Sequence, residues 1–249
     1  MIYKTVKIKD APLTMYVIGN SPAVDMERKH PAVLILPGGG YEFTSDREAE
    51  PVALALTAKG YNAFVLRYST HAEHPEAKYP RQLDEAREAL IYIRKNSREL
   101  NTDPDKVAVM GFSAGGHLAG CLANISDEKP NAAILCYPVI TSGEYAHKGS
   151  FTALGADISL EKYVSEKSPP TFIWHTYEDA SVPVENALLM AAALRKNKVP
   201  FELHIFQNGP HGLSLCNAQT ANENNSNLIN KHTEKWFDLC MEWLDEINI

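Results

Sequence analysis

Several kinds of protein are ruled out by what this chain lacks. No stretch approaches the roughly 20 consecutive apolar residues that cross a bilayer, so no membrane-spanning helix is expected. The opening residues MIYKTVKIKD contain no apolar core of a secretory leader, and a cytoplasmic protein is expected. Cysteine is scarce. Cys121, Cys136, Cys216 and Cys240 stand apart, without CxxC or metal-ligand spacing, so they read as reduced, buried thiols with no metal. The net charge is −7 and like charges do not cluster in long runs, so neither nucleic acid nor an acidic membrane surface is an expected partner. The sequence also has no G-x-x-x-x-G-K-[ST] and no G-x-G-x-x-G opening a helix, the usual phosphate cradles. No pair of carboxylates stands out for cleaving a glycosidic bond.

What remains is an ordinary globular composition, 45% hydrophobic and 22% charged over 249 residues. No linker interrupts it, so one domain over 1–249 is expected. Two alternating segments, 3–9 and 13–18, read as strands forming an antiparallel edge. The continuous apolar run Ala32–Leu36 reads as a strand buried on both faces. Further strands are expected at 62–68, 106–112, 131–137, 171–176 and 201–206. Helices are expected at 46–59, 79–98, 114–125, 184–196 and 231–247. Strand and helix in alternation mean an α/β fold, a mostly parallel sheet of about eight strands flanked by helices. The segment 139–167 breaks the rhythm and reads as a small lid insertion beside the active site.

The chemistry centres on Gly111-Phe-Ser-Ala-Gly115, a G-x-S-x-G string between a buried strand and a helix. That context makes it a nucleophile elbow, a strained turn that lifts the Ser113 hydroxyl above the sheet. A serine needs a base, and His211 in Asn208-Gly-Pro-His-Gly212 lies in the loop after the last strand. The imidazole needs a carboxylate, and Asp179 follows the strand 171–176, with Glu178 as its competitor. A tetrahedral oxyanion needs backbone N–H donors. Ala114 supplies one and the glycines of Pro37-Gly-Gly-Gly-Tyr41 the others, Gly39 and Gly40 by position. Tyr41, Phe43, Tyr68, His71 and His147 are candidates to line the pocket by location alone.

With these residues placed, the chain resembles the esterase group of the α/β-hydrolase superfamily that includes acetyl-xylan esterases, hormone-sensitive-lipase-like carboxylesterases and the BD-FAE-like proteins. The strings LPGGGY, LRY, YPRQLDEA, DPDKVAVMGFSAGGHLA, CYPVIT, PPTFIWHTYEDASVPVENA and GPHG carry the likeness over about residues 32–215. The resemblance implies an α/β-hydrolase fold, no cofactor, and an acyl-enzyme on Ser113, His211 and Asp179. Lipase-like members carry His before the three glycines, where this chain has Pro37, and a longer N-terminal cap. The expected substrates are therefore short-chain esters of small molecules or oligosaccharides, acetylated xylo-oligosaccharides first. An arylester or formamide hydrolase, a serine peptidase and a non-catalytic binding protein on the same scaffold are the alternatives. Nothing in the sequence sets an oligomeric state.

Overall fold

A computed structural model describes residues 1–249. Eight strands form one sheet in the order β1-β2-β4-β3-β5-β6-β7-β8. Strands β1 (Ile2–Ile8) and β2 (Ala11–Val17) make an antiparallel hairpin at one edge, and β2 also runs antiparallel to β4 (Asn62–Leu66). From β4 onward every pairing is parallel, through β3 (His30–Leu36), β5 (Thr102–Phe112), β6 (Ala132–Cys136), β7 (Thr171–Thr176) and β8 (Phe201–Phe206).

The central strands are buried on both faces, which explains their unbroken apolar runs. Side chains still alternate between two cores. Leu34 and Leu36 of β3 join Val107 and Val109 of β5 in one cluster. Val33 and Ile35 join Ala108, Met110 and Phe112 in the other. Helices α2 (Arg81–Lys95), α3 (Ala114–Asn124) and α5 (Glu185–Lys196) close the first face. Helices α1 (Glu50–Ala58) and α6 (Trp236–Glu246) close the second, where Trp174 of β7 stacks on Trp236 with ring centroids 4.9 Å apart. No helix is long and apolar enough to cross a membrane. All four cysteines are buried and unbridged.

Boundaries differ from expectation where periodicity is blind to local chemistry. The single helix expected over 46–59 is a 3-10 turn, Asp46–Glu48, followed by α1, with Ala49 off helical geometry between them. Pro51 can occupy only the first turn of a helix, and the Glu48 side chain is turned into the protein. Helix α2 starts at Arg81 rather than 79, directly after Pro80. The last helix is likewise split, a 3-10 turn at Thr233–Lys235 leading into α6.

The segment 139–167 carries a fourth helix, α4 (Lys148–Leu154), and a 3-10 turn, Leu160–Lys162. It is docked by specific bonds. Leu160 N–H donates to the Ile140 carbonyl, Asn186 of α5 donates to the Tyr145 carbonyl, and His117 of α3 reaches the Ile158 carbonyl.

Candidate active site

Loops from the carboxyl ends of β3, β5, β7 and β8 meet at one edge of the sheet, the place where open α/β sheets bind ligands. Ser113 occupies the turn between β5 and α3 with φ 54° and ψ −118°, a backbone conformation that a side chain tolerates only when the surroundings force it. The forcing is steric. A Cβ on Gly115 would lie 2.1 Å from the Leu36 carbonyl oxygen and 2.4 Å from that of Pro37, so α3 can start this close to β3 only with glycine there. The turn is also bonded in, with Ser113 N–H donating to the Cys136 carbonyl at 3.0 Å.

Ser113 Oγ lies 2.7 Å from His211 Nε2, and His211 Nδ1 lies 2.6 Å from Asp179 Oδ2. The Asp179 side chain is fully buried and that of His211 is 21% exposed. Asp179 Oδ1 accepts the N–H groups of Ser181 and Val182, both at 2.9 Å. His175, at the end of β7, brings Nε2 to 3.3 Å from Asp179 Oδ2 while bonding the Val182 carbonyl at 2.9 Å. Burial alone would raise the Asp179 carboxyl. Bonds from His175 and His211, the His211 charge and the Val182 N–H outweigh that and hold it well below the usual carboxylate range. An ionised Asp179 accepts the Nδ1 proton of His211, which leaves Nε2 free to accept from the Ser113 hydroxyl.

Glu178, the competitor, is directed elsewhere: its Oε2 accepts Gly209 N–H at 3.1 Å and so pins the loop that carries His211. Thr176 Oγ1 holds the same residue by its carbonyl at 2.8 Å.

Gly39 and Gly40 lie beside Ser113 and His211 in the wall of a cavity of about 490 Å³. Neither of their N–H groups is bonded within the protein. Ala114 is the first residue of α3, so its N–H has no partner inside the helix. Tyr41 and Tyr68 do not line this cavity, contrary to their location in the sequence. Both are buried beneath it because each spends its hydroxyl on support. The Tyr68 hydroxyl donates to the Pro37 carbonyl at 2.7 Å, and the Tyr41 hydroxyl lies 2.8 Å from His117 Nδ1. His117 is fully buried, and desolvation lowers its pKa from 6.5 to about 4 despite the bond to the Ile158 carbonyl. His71 is also absent from the wall, its N–H being tied to the Tyr41 carbonyl at 2.8 Å. Phe43 and His147 do line it. Burial and the neighbouring His211 lower the His147 pKa, and its Nδ1 caps α4 through Ser150. Phe43 is 59% exposed and is the one large apolar side chain among glycines, serines and charged groups. No grouping of three or more His, Cys, Asp or Glu side chains has the arrangement of a metal site.

The same architecture recurs over the whole length of a solved structure. MGS-M1, an alpha/beta hydrolase enzyme from a Medee basin deep-sea metagenome library, is 42% identical to this chain with a TM-score of 0.88, covering 99% of this chain and 98% of that one.

The chain belongs to the α/β-hydrolase family.

Within that family, residues 21–142 match the BD-FAE group and residues 83–242 the Prolyl oligopeptidase family. An acetyl ester-xyloside bifunctional hydrolase from Caldicellulosiruptor lactoaceticus is 39% identical with a TM-score of 0.83, over 96% of this chain and 88% of that one. Endo-1,4-beta-xylanase B of Butyrivibrio fibrisolvens is 41% identical over 213 residues, 77% of this chain. The hydrolase described here spans about a third of the length of that curated relative.

Four residues of the site gave no signal in the sequence: His175 behind Asp179, Glu48 in the cavity wall, Tyr137 bonded to it, and Arg47, whose guanidinium donates to the Gly212 carbonyl at 2.9 Å. Each contact except that of His175 joins residues far apart in the chain. The His175–Asp179 spacing of four is unremarkable on a strand that ends between them.

Proposed function

We propose that this α/β-hydrolase is a serine carboxylesterase that removes short acyl groups, acetyl first, from xylo-oligosaccharides or related sugars through an acyl-enzyme. The observation that carries the reading is the unbroken chain of short hydrogen bonds from Ser113 through His211 to Asp179, opening on a cavity with two unbonded N–H groups. His211 Nε2 takes the hydroxyl proton as Ser113 Oγ attacks the ester carbonyl carbon. The carbonyl oxygen takes the electron pair and is held by the N–H groups of Gly39, Gly40 and Ala114. The tetrahedral species collapses and expels the alcohol, which leaves with the proton from His211. Water repeats the cycle on the acyl-enzyme, releasing the acid and restoring Ser113.

The cavity supports the sugar. Glu42, Ser45, Arg47, His147 and Ser181 bring hydrogen-bonding side chains to its wall, suited to an alcohol rich in hydroxyls, and the exposed Phe43 ring offers a flat apolar face to a pyranose. The similarity to an acetyl ester-xyloside bifunctional hydrolase supports the same reading. We place the enzyme in the cytoplasm, where its buried, unbridged thiols would stay reduced.

A substrate panel separates the readings. Acetate release from acetylated xylo-oligosaccharides, with p-nitrophenyl acetate cleaved much faster than the butyrate, is the expected result, and Ser113→Ala should lose roughly 10³- to 10⁶-fold of it. Turnover of the nitrophenyl esters alone would keep the serine chemistry and discard the sugar. Cleavage of a peptide anilide in preference to esters would favour the peptidase reading that the Prolyl oligopeptidase match raises.

A further inference from the structure

In the wall of the cavity sits Glu48, a carboxylate only 3% exposed and with no Lys, Arg or His in ion-pair contact. Burying such a group is unfavourable unless its oxygens are engaged. Both are. Oε2 accepts the N–H of Gly38 at 2.8 Å, and Oε1 accepts the hydroxyl of Tyr137 at 2.6 Å. Having donated to Glu48, the Tyr137 oxygen accepts the N–H of Ser214 at 2.9 Å, three residues after His211. The Tyr137 ring meets the His211 ring edge to face with centroids 5.2 Å apart. One side chain thus touches the loop of the oxyanion donors and, through a single hydroxyl, the loop of the base.

Both Glu48 oxygens act as acceptors, which fixes the direction of the two hydrogens that meet them. Turning the Gly38 N–H down into Glu48 fixes the peptide plane from which Gly39 and Gly40 continue, and their N–H groups stay unbonded at the cavity. The packing is close enough to demand this. A Cβ on Gly38 would lie 2.8 Å from Glu48 Oε2 and 3.0 Å from Ser113 Cβ, so only glycine lets the carboxylate and the nucleophile share that peptide.

We propose that Glu48 is a positioning residue that holds the oxyanion donors and His211 in register about Ser113. The assignment rests on the esterase reading above and deepens it. Because the donors act on the oxyanion and not on the bound ester, loss of their alignment falls on the transition state.

The test compares Glu48→Gln, Tyr137→Phe and Ser113→Ala on p-nitrophenyl acetate, with thermal unfolding and the affinity of a trifluoromethyl ketone measured on each. Glu48→Gln is expected to lower kcat by about 10- to 100-fold with KM within about twofold, and to weaken the ketone by a similar factor. Tyr137→Phe, which removes one of the two contacts, should lower kcat by roughly tenfold and serves if Glu48→Gln does not fold. A Glu48→Gln or Tyr137→Phe enzyme with wild-type kcat and ketone affinity but a lower melting temperature would overturn the proposal and leave Glu48 a fold residue. Ser113→Ala separates the two claims. If it still turns over, the esterase reading itself fails; if it is dead while Glu48→Gln is unimpaired, only the Glu48 assignment falls.

Discussion

The two arms of this active site are built by different physics. The Ser113 arm, from the end of β5 into α3, is held by backbone packing: Gly115 against the carbonyls of β3 and its following loop, and a helix whose residues are buried all round. The arm that carries Asp179 and His211, after β7 and β8, is held by polar side chains that reach across the fold. Glu178 and Thr176 grip Gly209, Arg47 grips Gly212, Tyr137 grips Ser214, and His175 stands behind Asp179. Steric closure fails all at once when an atom is added. A hydrogen-bonded loop loses one contact at a time, and so lends itself to tuning.

The contrast breaks most severely at Gly115. Gly115→Ala places a methyl 2.1 Å from the Leu36 oxygen with only backbone to yield, and the expected outcome is loss of the cooperative unfolding transition by circular dichroism. On the other arm, Asp179→Asn keeps the size of the side chain but favours the wrong His211 tautomer. Turnover is expected to fall roughly 10⁴-fold while the folded protein survives. If Gly115→Ala folds normally or Asp179→Asn unfolds, the division between the arms is wrong.

The smallest effect sharpens the comparison through pH. His117 links Tyr41 of the oxyanion loop, helix α3 and Ile158 of the insertion, and its pKa falls from 6.5 unfolded to about 4 folded. A depressed folded pKa means the unfolded chain binds the proton first. The stability this neutral histidine contributes is complete above about pH 6.5 and is lost as pH falls towards 4, by about 3 kcal/mol. Urea unfolding at a series of pH values should show that loss, flattened in His117→Gln. The Asp179 contribution lies in a separate window, since a lowered carboxylate loses its stabilisation only below about pH 4.

The same contrast explains what the sequence made legible. Steric requirements leave short, local marks: glycines at fixed spacing around Ser113 and three in a row after β3 announce the tight turns found at both places. Strands buried on both faces announce themselves as apolar runs, so β7 carries the same limits in sequence and structure. Chain order and loop placement singled out His211 and Asp179, and the structure brings both into one hydrogen-bonded chain with Ser113. Their supports were not legible, because a hydrogen bond such as Tyr137 to Glu48 joins residues 89 apart and leaves no pattern near either. The break between the 3-10 turn and α1 was hidden for the same reason. Glu48 looks like any polar helix residue until its acceptors are seen to be spent on Gly38 and Tyr137.

The central claim is that Ser113 is the nucleophile of an esterase. A fluorophosphonate reacts preferentially with a serine activated in this way, so the direct measurement is to titrate the protein with one, map the modified residue by tandem mass spectrometry, and follow acetate release from acetylated xylo-oligosaccharides in the same samples. One label per chain on Ser113, with activity falling in proportion to labelling, is the predicted result. Full labelling of Ser113 with acetate release intact, or activity lost with the label on another residue, would contradict it.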